Sequence, residues 1–455
     1  MLETALNIIV ALGALFSAYI LLVNFLLYLK GQRQADEPSP GINTYPMVSI
    51  LIPVRNEPPV LVKRALESLI RLDWPRDKLE IIIIDDSEPN SFREIKEAVN
   101  DFEELNVRLL HRLTPRGRKA GALNDGARLS KGEYLAVLDV DCVVSTNFLR
   151  ETVGVLEADR ECGYVQAKTV VRRRGGLGYL ATLSINEYRR GVLLKGLATM
   201  KVPQIVGYGF VVRKKALMEA GGWAEWSLTE DVELTVRLSA EGWTGKYTER
   251  AVVEYEAPPT LYDLKKQQER WMYGVFQVAV RVLSLPSLGS PLRKMMMLTY
   301  LLFFMGLTLN ILISTVPIAS GLVGLFFKPR ALLIVSTALL NIAAIAFTYS
   351  LYHLLKEAVG VKEAVYAIAA SSVFFNSLSH SALLMFIKNL LGVGHEWRVT
   401  PKIGGGRGVP PDTAVVASLM ALSLALSLFY SPYVSAWLTG LLASYLFFLA
   451  SCIRR

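Results

Sequence analysis

The chain has 455 residues, room for about two domains, and 52% of them are hydrophobic, with a mean hydropathy of +0.35, too apolar for a soluble enzyme of this length. The net charge of +9 does not require nucleic acid, because much of it (Lys30, Arg33, Arg293, Lys294, Arg454, Arg455) flanks apolar runs, where the positive-inside rule accounts for it. Three cysteines (Cys142, Cys162, Cys452) without metal spacing and four scattered histidines exclude a disulfide framework and a zinc cluster, leaving carboxylates and arginines to carry any chemistry.

Taken from the amino terminus, residues 5–29 are an uncharged apolar run about as long as the ~20 residues a bilayer crossing needs. They exceed a signal-peptide core and lack a small-residue cleavage site, so residues 1–30 are expected to be a retained transmembrane helix. Residues 31–46 are polar, with Pro and Gly, and read as a linker. From 47 to 285 the pattern is strand–helix alternation. Val48–Pro53 is a β-branched run, Val60–Leu72 has helical periodicity, and Leu79–Ile84 is a continuous apolar strand ending in Asp85-Asp86. Tyr134–Leu138 is another strand, ending in Asp139-Val140-Asp141. Buried strands alternating with helices predict an α/β, Rossmann-like, mostly parallel sheet. Such sheets bind ligands beyond the carboxyl ends of their strands, where these acids lie.

A membrane region is expected from 286 to 455. Four apolar runs, about 297–327, 331–355, 413–430 and 433–451, read as spans. The stretch 362–391 carries Ser371, Ser372, Asn376, Ser377, Ser379 and His380 at roughly helical spacing. It is read as an interfacial amphipathic helix, which keeps the loop 392–410 on the same side as the 47–285 domain. Five spans then put the amino terminus outside and Arg454-Arg455 in the cytosol, with Lys328 and Arg330 against the charge rule.

Four motifs stand out in the 47–285 domain. In Asp139-Val140-Asp141, alternation along an extended chain puts both carboxylates on one side, as a hard divalent ion bridging to phosphates requires; an isolated DxD is more often a solvated turn. Arg116–Asn124 (RGRKAGALN) joins a basic loop to a helix start, a phosphate-binding arrangement that alone reads as a solvated loop. Ser227–Asp231 (SLTED) reads as a capping box with Ser227 at the N-cap and Glu230 three residues on. That places Asp231 in the first turn, either as dipole compensation or as a general base whose pKa the helix terminus would depress. Gln267, Arg270 and Trp271 lie at i, i+3 and i+4 of a helix predicted over 261–283, hence on one face. Arginine can bind phosphate bidentately and indole can stack on a sugar; the plainer alternative is an interfacial Trp beside a snorkelling Arg.

In this order, IPVRNE (52–57), IIIDDS (82–87), KAGALN (119–124), DVD (139–141), TED (229–231) and QQERW (267–271) resemble the membrane-integrated family 2 glycosyltransferases, the cellulose, chitin and hyaluronan synthases and plant glucomannan mannosyltransferases. HEWRVTPK (395–402) looks like their cytosolic gating loop. The resemblance implies a GT-A fold on the cytosolic side of a cell membrane, and an inverting transfer that depends on Mg or Mn. It implies that Asp139 and Asp141 hold the metal, with Asp139 also on the donor diphosphate. Pro53, Glu57, Asp85 and Lys119 are similar to donor contacts, as are Gln267 and Arg270. Asp231 matches the catalytic base, and Glu230 and Trp271 match acceptor contacts. Trp397, Thr400 and Lys402 match the gating loop. GGWAEWSLTEDVEL, EAPPT (256–260) and HEWRVTPKIG look most like the glucomannan mannosyltransferases, which implies GDP-mannose and β-1,4 transfer to a growing glycan. One amino-terminal span, rather than two or more, departs from the synthases and leaves a secretion channel open to question. The rivals are a UDP-glucose-type β-glucan synthase and a polyprenyl-phosphate sugar transferase; the latter would not need Trp271 or the 397–402 loop. A transporter would carry ionisable groups inside its spans, and these spans are nearly uncharged.

Overall fold

Strands too apolar to face water on either side set the architecture. In the computed structural model, which describes residues 2–33, 41–42, 44–173, 175–284, 301, 303–304, 306, 331–395, 400–401, 406, 408–428 and 432–453, β1 (Val48–Val54) and β2 (Leu79–Asp85) are buried almost throughout. With β3 (Val107–His111) and β4 (Tyr134–Val137) they form a parallel half-sheet in the order β3-β2-β1-β4. Its register pairs Leu51 with Ile82 on one side and Val137 on the other. The sheet continues as β7-β6-β8-β5, with β5 Val143–Val144, β6 Cys162–Val171, β7 Phe210–Arg213 and β8 Thr244–Tyr255. Here β7 runs antiparallel to both β4 and β6, while β6 and β8 are parallel. The parallel half matches the sequence expectation, and the other half is mixed.

Alternation along the strands makes two cores. Ile50 and Ile52 point to the face covered by α2 (Pro59–Ile70), α3 (Pro89–Asn100) and α5 (Phe148–Ala158). Leu51, Ile82 and Ile84 point to the face covered by α4 (Arg118–Leu129), α8 (Lys214–Glu219) and α9 (Glu230–Ala240). Two helices prolong this domain. In the first, α6 (Leu177–Tyr188) passes through a buried π-helical turn, Arg189–Leu194, into α7 (Lys195–Ala198). The second, α10 (Leu261–Ser284), carries the QQERW segment.

The remaining helices are apolar. Here α1 spans Leu2–Gln32, α11 Ala331–Val359, α12 Val361–Leu390, α13 Pro411–Ser427 and α14 Pro432–Ile453. Among the described residues three helices are long and apolar enough to cross a membrane, in α1, α11 and α12; α13 and α14 contain shorter apolar stretches. The expected span at 297–327 lies outside the described residues apart from 301, 303, 304 and 306. Helix α12 packs on α6, α10, α11 and α14. It turns Ser371, Ser377, Ser379, His380 and Ser381 into the protein rather than to its surroundings. Polar residues at helical spacing here serve helix–helix contact: His380 Nε2 meets Asp412 at 2.9 Å, and Ser184 Oγ donates to Ala367 O at 2.9 Å.

Candidate active site

At the carboxyl edge of the parallel half-sheet, the strand β4 does not continue through Asp139-Val140-Asp141. A turn closes there, with Cys142 N–H donating to Asp139 O at 3.0 Å. The simple i, i+2 alternation expected of an extended chain is therefore replaced by a turn, yet both carboxylates line one cavity. Asp141 is 1% exposed and accepts the Glu256 N–H at 3.0 Å. Asp139 takes a hydrogen bond from Lys119 Nζ, which also donates to Gly207 O at 2.9 Å. Burial opposes the Lys119 charge, but Asp139 and Glu230 together hold its pKa above the ordinary lysine value.

The cavity holds about 1580 Å³ of empty space, its open mouth included. Pro53, near the end of β1, and Glu57, just beyond it, line it. Asp85 does not. As the last residue of β2 it is wholly buried and bound to His111 Nδ1 at 2.7 Å, and Asp86, one step along the pleat, lines the cavity instead. Asp86 is gripped by Arg112 through two side-chain bonds. The basic loop is largely neutralised: Arg116 pairs with Asp125 and Glu225, so its cationic contribution to the site is Lys119.

The expected capping box does not form. Ser227 Oγ accepts the Thr229 N–H at 3.1 Å, and the helix begins at Glu230 with Thr229 as N-cap. Asp231 is nonetheless in the first turn of α9. Of the two opposing effects on its pKa, burial outweighs the helix terminus: removal from water, then repulsion by Glu230, pushes Asp231 up to about 7, against the lowering by backbone N–H groups and Lys119. Gly207 makes room for this group. It has φ +88°, and a Cβ there would sit 3.1 Å from Asp231 Oδ2.

Helix α10 meets the start of α9 through Gly274, where a Cβ would lie 2.7 Å from the Thr229 side chain and 2.9 Å from its backbone N. Burial lowers the Arg270 pKa below the ordinary guanidinium value, and the field of Glu230, Asp231 and Asp139, in which this close approach holds it, opposes that only in part. Arg270 Nε is buried without a hydrogen-bond partner, a donor available to an anion. Gln267 and Trp271 line the cavity beside it. Thr400 also lines it, while Trp397 and Lys402 lie outside the described residues. The described ends of the 392–410 loop are tied to α10: Tyr273 Oη donates to Val393 O at 3.1 Å, and Gly406 N–H to Asp263 at 3.1 Å.

The donor set suits a divalent ion. Among the described residues no cluster of three or more His, Cys, Asp or Glu forms a protein cage. Two carboxylates open to one cavity are what a hard cation that also binds substrate phosphates takes from a protein. Sequence reading missed Arg189, Gln204, Gly207 and Tyr255, which line the same cavity from between the motifs; only packing brings them there.

Residues 134–352 match a family described as glycosyl transferase family group 2. The chain is 28% identical over 392 residues to a probable glucomannan 4-beta-mannosyltransferase 3 of Oryza sativa subsp. japonica, covering 83% of this chain and 69% of that one. It is 30% identical over 238 residues to a beta-monoglucosyldiacylglycerol synthase of Nostoc sp., covering 51% and 49%, so it spans about half the length of that relative. A mannosyltransferase from Pyrobaculum calidifontis, solved with GDP-Man and Mn2+, superimposes with a TM-score of 0.61 over 85% of this chain and 99% of that chain, at 18% identity. That likeness carries the GT-A fold. With its ordered motifs gathered around one cavity, the chain carries a glycosyl transferase family 2 domain over residues 134–352.

Proposed function

We propose that the chain transfers a hexose from a nucleotide sugar, GDP-mannose by preference, to a hydroxyl of a growing glycan with inversion and β-1,4 linkage, at the cytosolic face of a membrane. The observation that carries the reading is one carboxylate, Asp231, held near neutrality within the same cavity as two metal-type acids and a buried arginine donor. The mannose preference is supported by the rice relative.

In this mechanism Asp231 accepts the proton of an acceptor hydroxyl as that oxygen bonds to the anomeric carbon. The bond from that carbon to the diphosphate oxygen breaks on the opposite face, and the nucleoside diphosphate leaves with the electron pair. Arg270 receives the departing diphosphate through its free Nε. A divalent ion held by Asp139 and Asp141 would supply charge neutralisation at the diphosphate, worth several kcal/mol in such transfers. Lys119 steadies Asp139 and the Gly207 backbone. Pro53 and Glu57 line the donor side, and Asp86 takes the cavity-facing place first given to Asp85. Trp271 offers its ring to the acceptor sugar, with Glu230 beside it. The 392–410 loop, with Thr400 at the cavity, closes over the donor, and α12 lies along the membrane interface so that this loop stays with the catalytic domain.

Asp231→Asn tests the reading. Donor affinity should be retained while transfer falls by roughly 10²–10⁴-fold. Radiolabel incorporation from GDP-mannose at the wild-type rate would remove Asp231 from the role.

A further inference from the structure

The cavity has two unlike walls. One carries the acids and Lys119; the other is apolar, built from Ile185, Leu193, Val275, Phe303, Phe304 and Phe375. Helix α10 runs from one wall to the other. On α10, Gln267, Arg270, Trp271 and Val275 line the cavity at i, i+3, i+4 and i+8. This single face passes from polar to aliphatic over about 12 Å of axis. On α6 and its π-turn, Ile185, Tyr188, Arg189 and Leu193 also line the cavity, with Arg189 set between two residues of the apolar wall. A glycan passing along this wall would need hydrogen-bonding groups, and these six side chains supply none.

At the junction sits Arg189, 8% exposed. Its guanidinium donates to Tyr255 Oη at 3.0 Å and lies 5.4 Å from the Trp271 ring centre. Its Nε is buried with no hydrogen-bond partner, and among the described residues it pairs with no carboxylate. A buried arginine without a counter-charge, beside the sugar platform and facing an apolar wall, is complementary to an anion carried on a hydrocarbon.

We infer that the acceptor is an amphiphile, a sugar joined through a phosphate to a hydrocarbon chain. Its sugar hydroxyl lies at Asp231, its phosphate at Arg189 and its chain along the apolar wall. This deepens the transferase reading and rests on it. The nucleophile remains a sugar hydroxyl, so the acceptor differs from a lipid phosphate that is itself glycosylated.

The test uses the full chain in nanodiscs with GDP-mannose and synthetic acceptors below their micelle concentrations. Acceptors are methyl, hexyl, octyl and decyl mannosides, and the same alkyl groups joined through a phosphodiester. KM is expected to fall on the order of tenfold for every two methylene groups added, and the phosphate-linked series to bind more tightly than the neutral one. Arg189→Gln should erase the difference between the two series and leave the chain-length slope. A diazirine-tailed octyl phosphomannoside should label peptides containing Phe303, Phe304 or Phe375 in the unmutated protein, which makes this arm independent of variant folding. A KM indifferent to chain length, or labelling confined to other peptides, overturns the lipid tail; equal use of both series overturns the phosphate at Arg189. Failure of every acceptor together with no release of GDP from GDP-mannose would instead sink the transferase reading itself.

Discussion

Asp231 shows how a single residue's environment sets its chemistry. A carboxylate at a helix amino terminus is ordinarily stabilised in its ionised form, yet burial and the neighbouring Glu230 lift Asp231 from an ordinary 3.8 to about 7. Only the ionised form accepts a proton, so log kcat at saturating substrate should rise with pH with unit slope below about 7 and level off above it. Glu230→Gln removes the repulsion and should move that limb toward lower pH, as a pH–rate profile reads out; a limb that stays in place or moves upward contradicts the assignment. Stability runs the other way. A raised folded pKa contributes stability that is fully present below the unfolded value and lost as pH rises through about 7. Asp231→Asn should therefore raise the melting temperature relative to wild type at pH 8 and not at pH 4, a stability gain at the expense of activity.

Helix α10 is the element that assembles the site, because it presents Gln267, Arg270 and Trp271 to the cavity while its other face binds the apolar helices. Its distance from α9 is set at Gly274. Adding a Cβ there must push α10 from Thr229 or distort it, and misplacement by an ångström can cost about 100-fold in rate. Gly274→Ala should accordingly lower kcat/KM by about that factor, measured with GDP-mannose, while the protein still folds. On the opposite face Lys265 is wholly buried and bonds Ser381 and Asp412 at 2.8 Å each, besides Glu269. Lys265→Met would take the shared cation from buried Glu269 and partly exposed Asp412, leaving them Lys266 and His380 as partners, a loss visible as a lower thermal midpoint in detergent. A melting curve unchanged by this substitution would show that the cluster does not tie α10 to α12 and α13.

For the molecule as a whole, the two-carboxylate donor set predicts that chelation with EDTA abolishes transfer and that Mn²⁺ or Mg²⁺ restores it, with no change in the far-ultraviolet circular dichroism spectrum. Full activity in EDTA would remove Asp139 and Asp141 from metal binding. The sequence by itself determined the elements whose signal is local. Continuous apolar strands marked β1 and β2, long uncharged runs marked α1, α11, α13 and α14, and the ordered acidic and QQERW motifs marked the family. The structure extends most of these bounds by only a few residues. What only tertiary structure decided depends on contacts between distant segments. These include the reversal of β7, the turn that replaces an extended Asp139–Asp141, and the burial of Asp85 in favour of Asp86. They also include the protein-facing polar stripe of α12 and the arrival of Arg189, Gly207 and Tyr255 in the cavity. Periodicity records which side of an element is apolar. It does not record which partner covers that side, and both the pKa of Asp231 and the shape of the cavity follow from the partner.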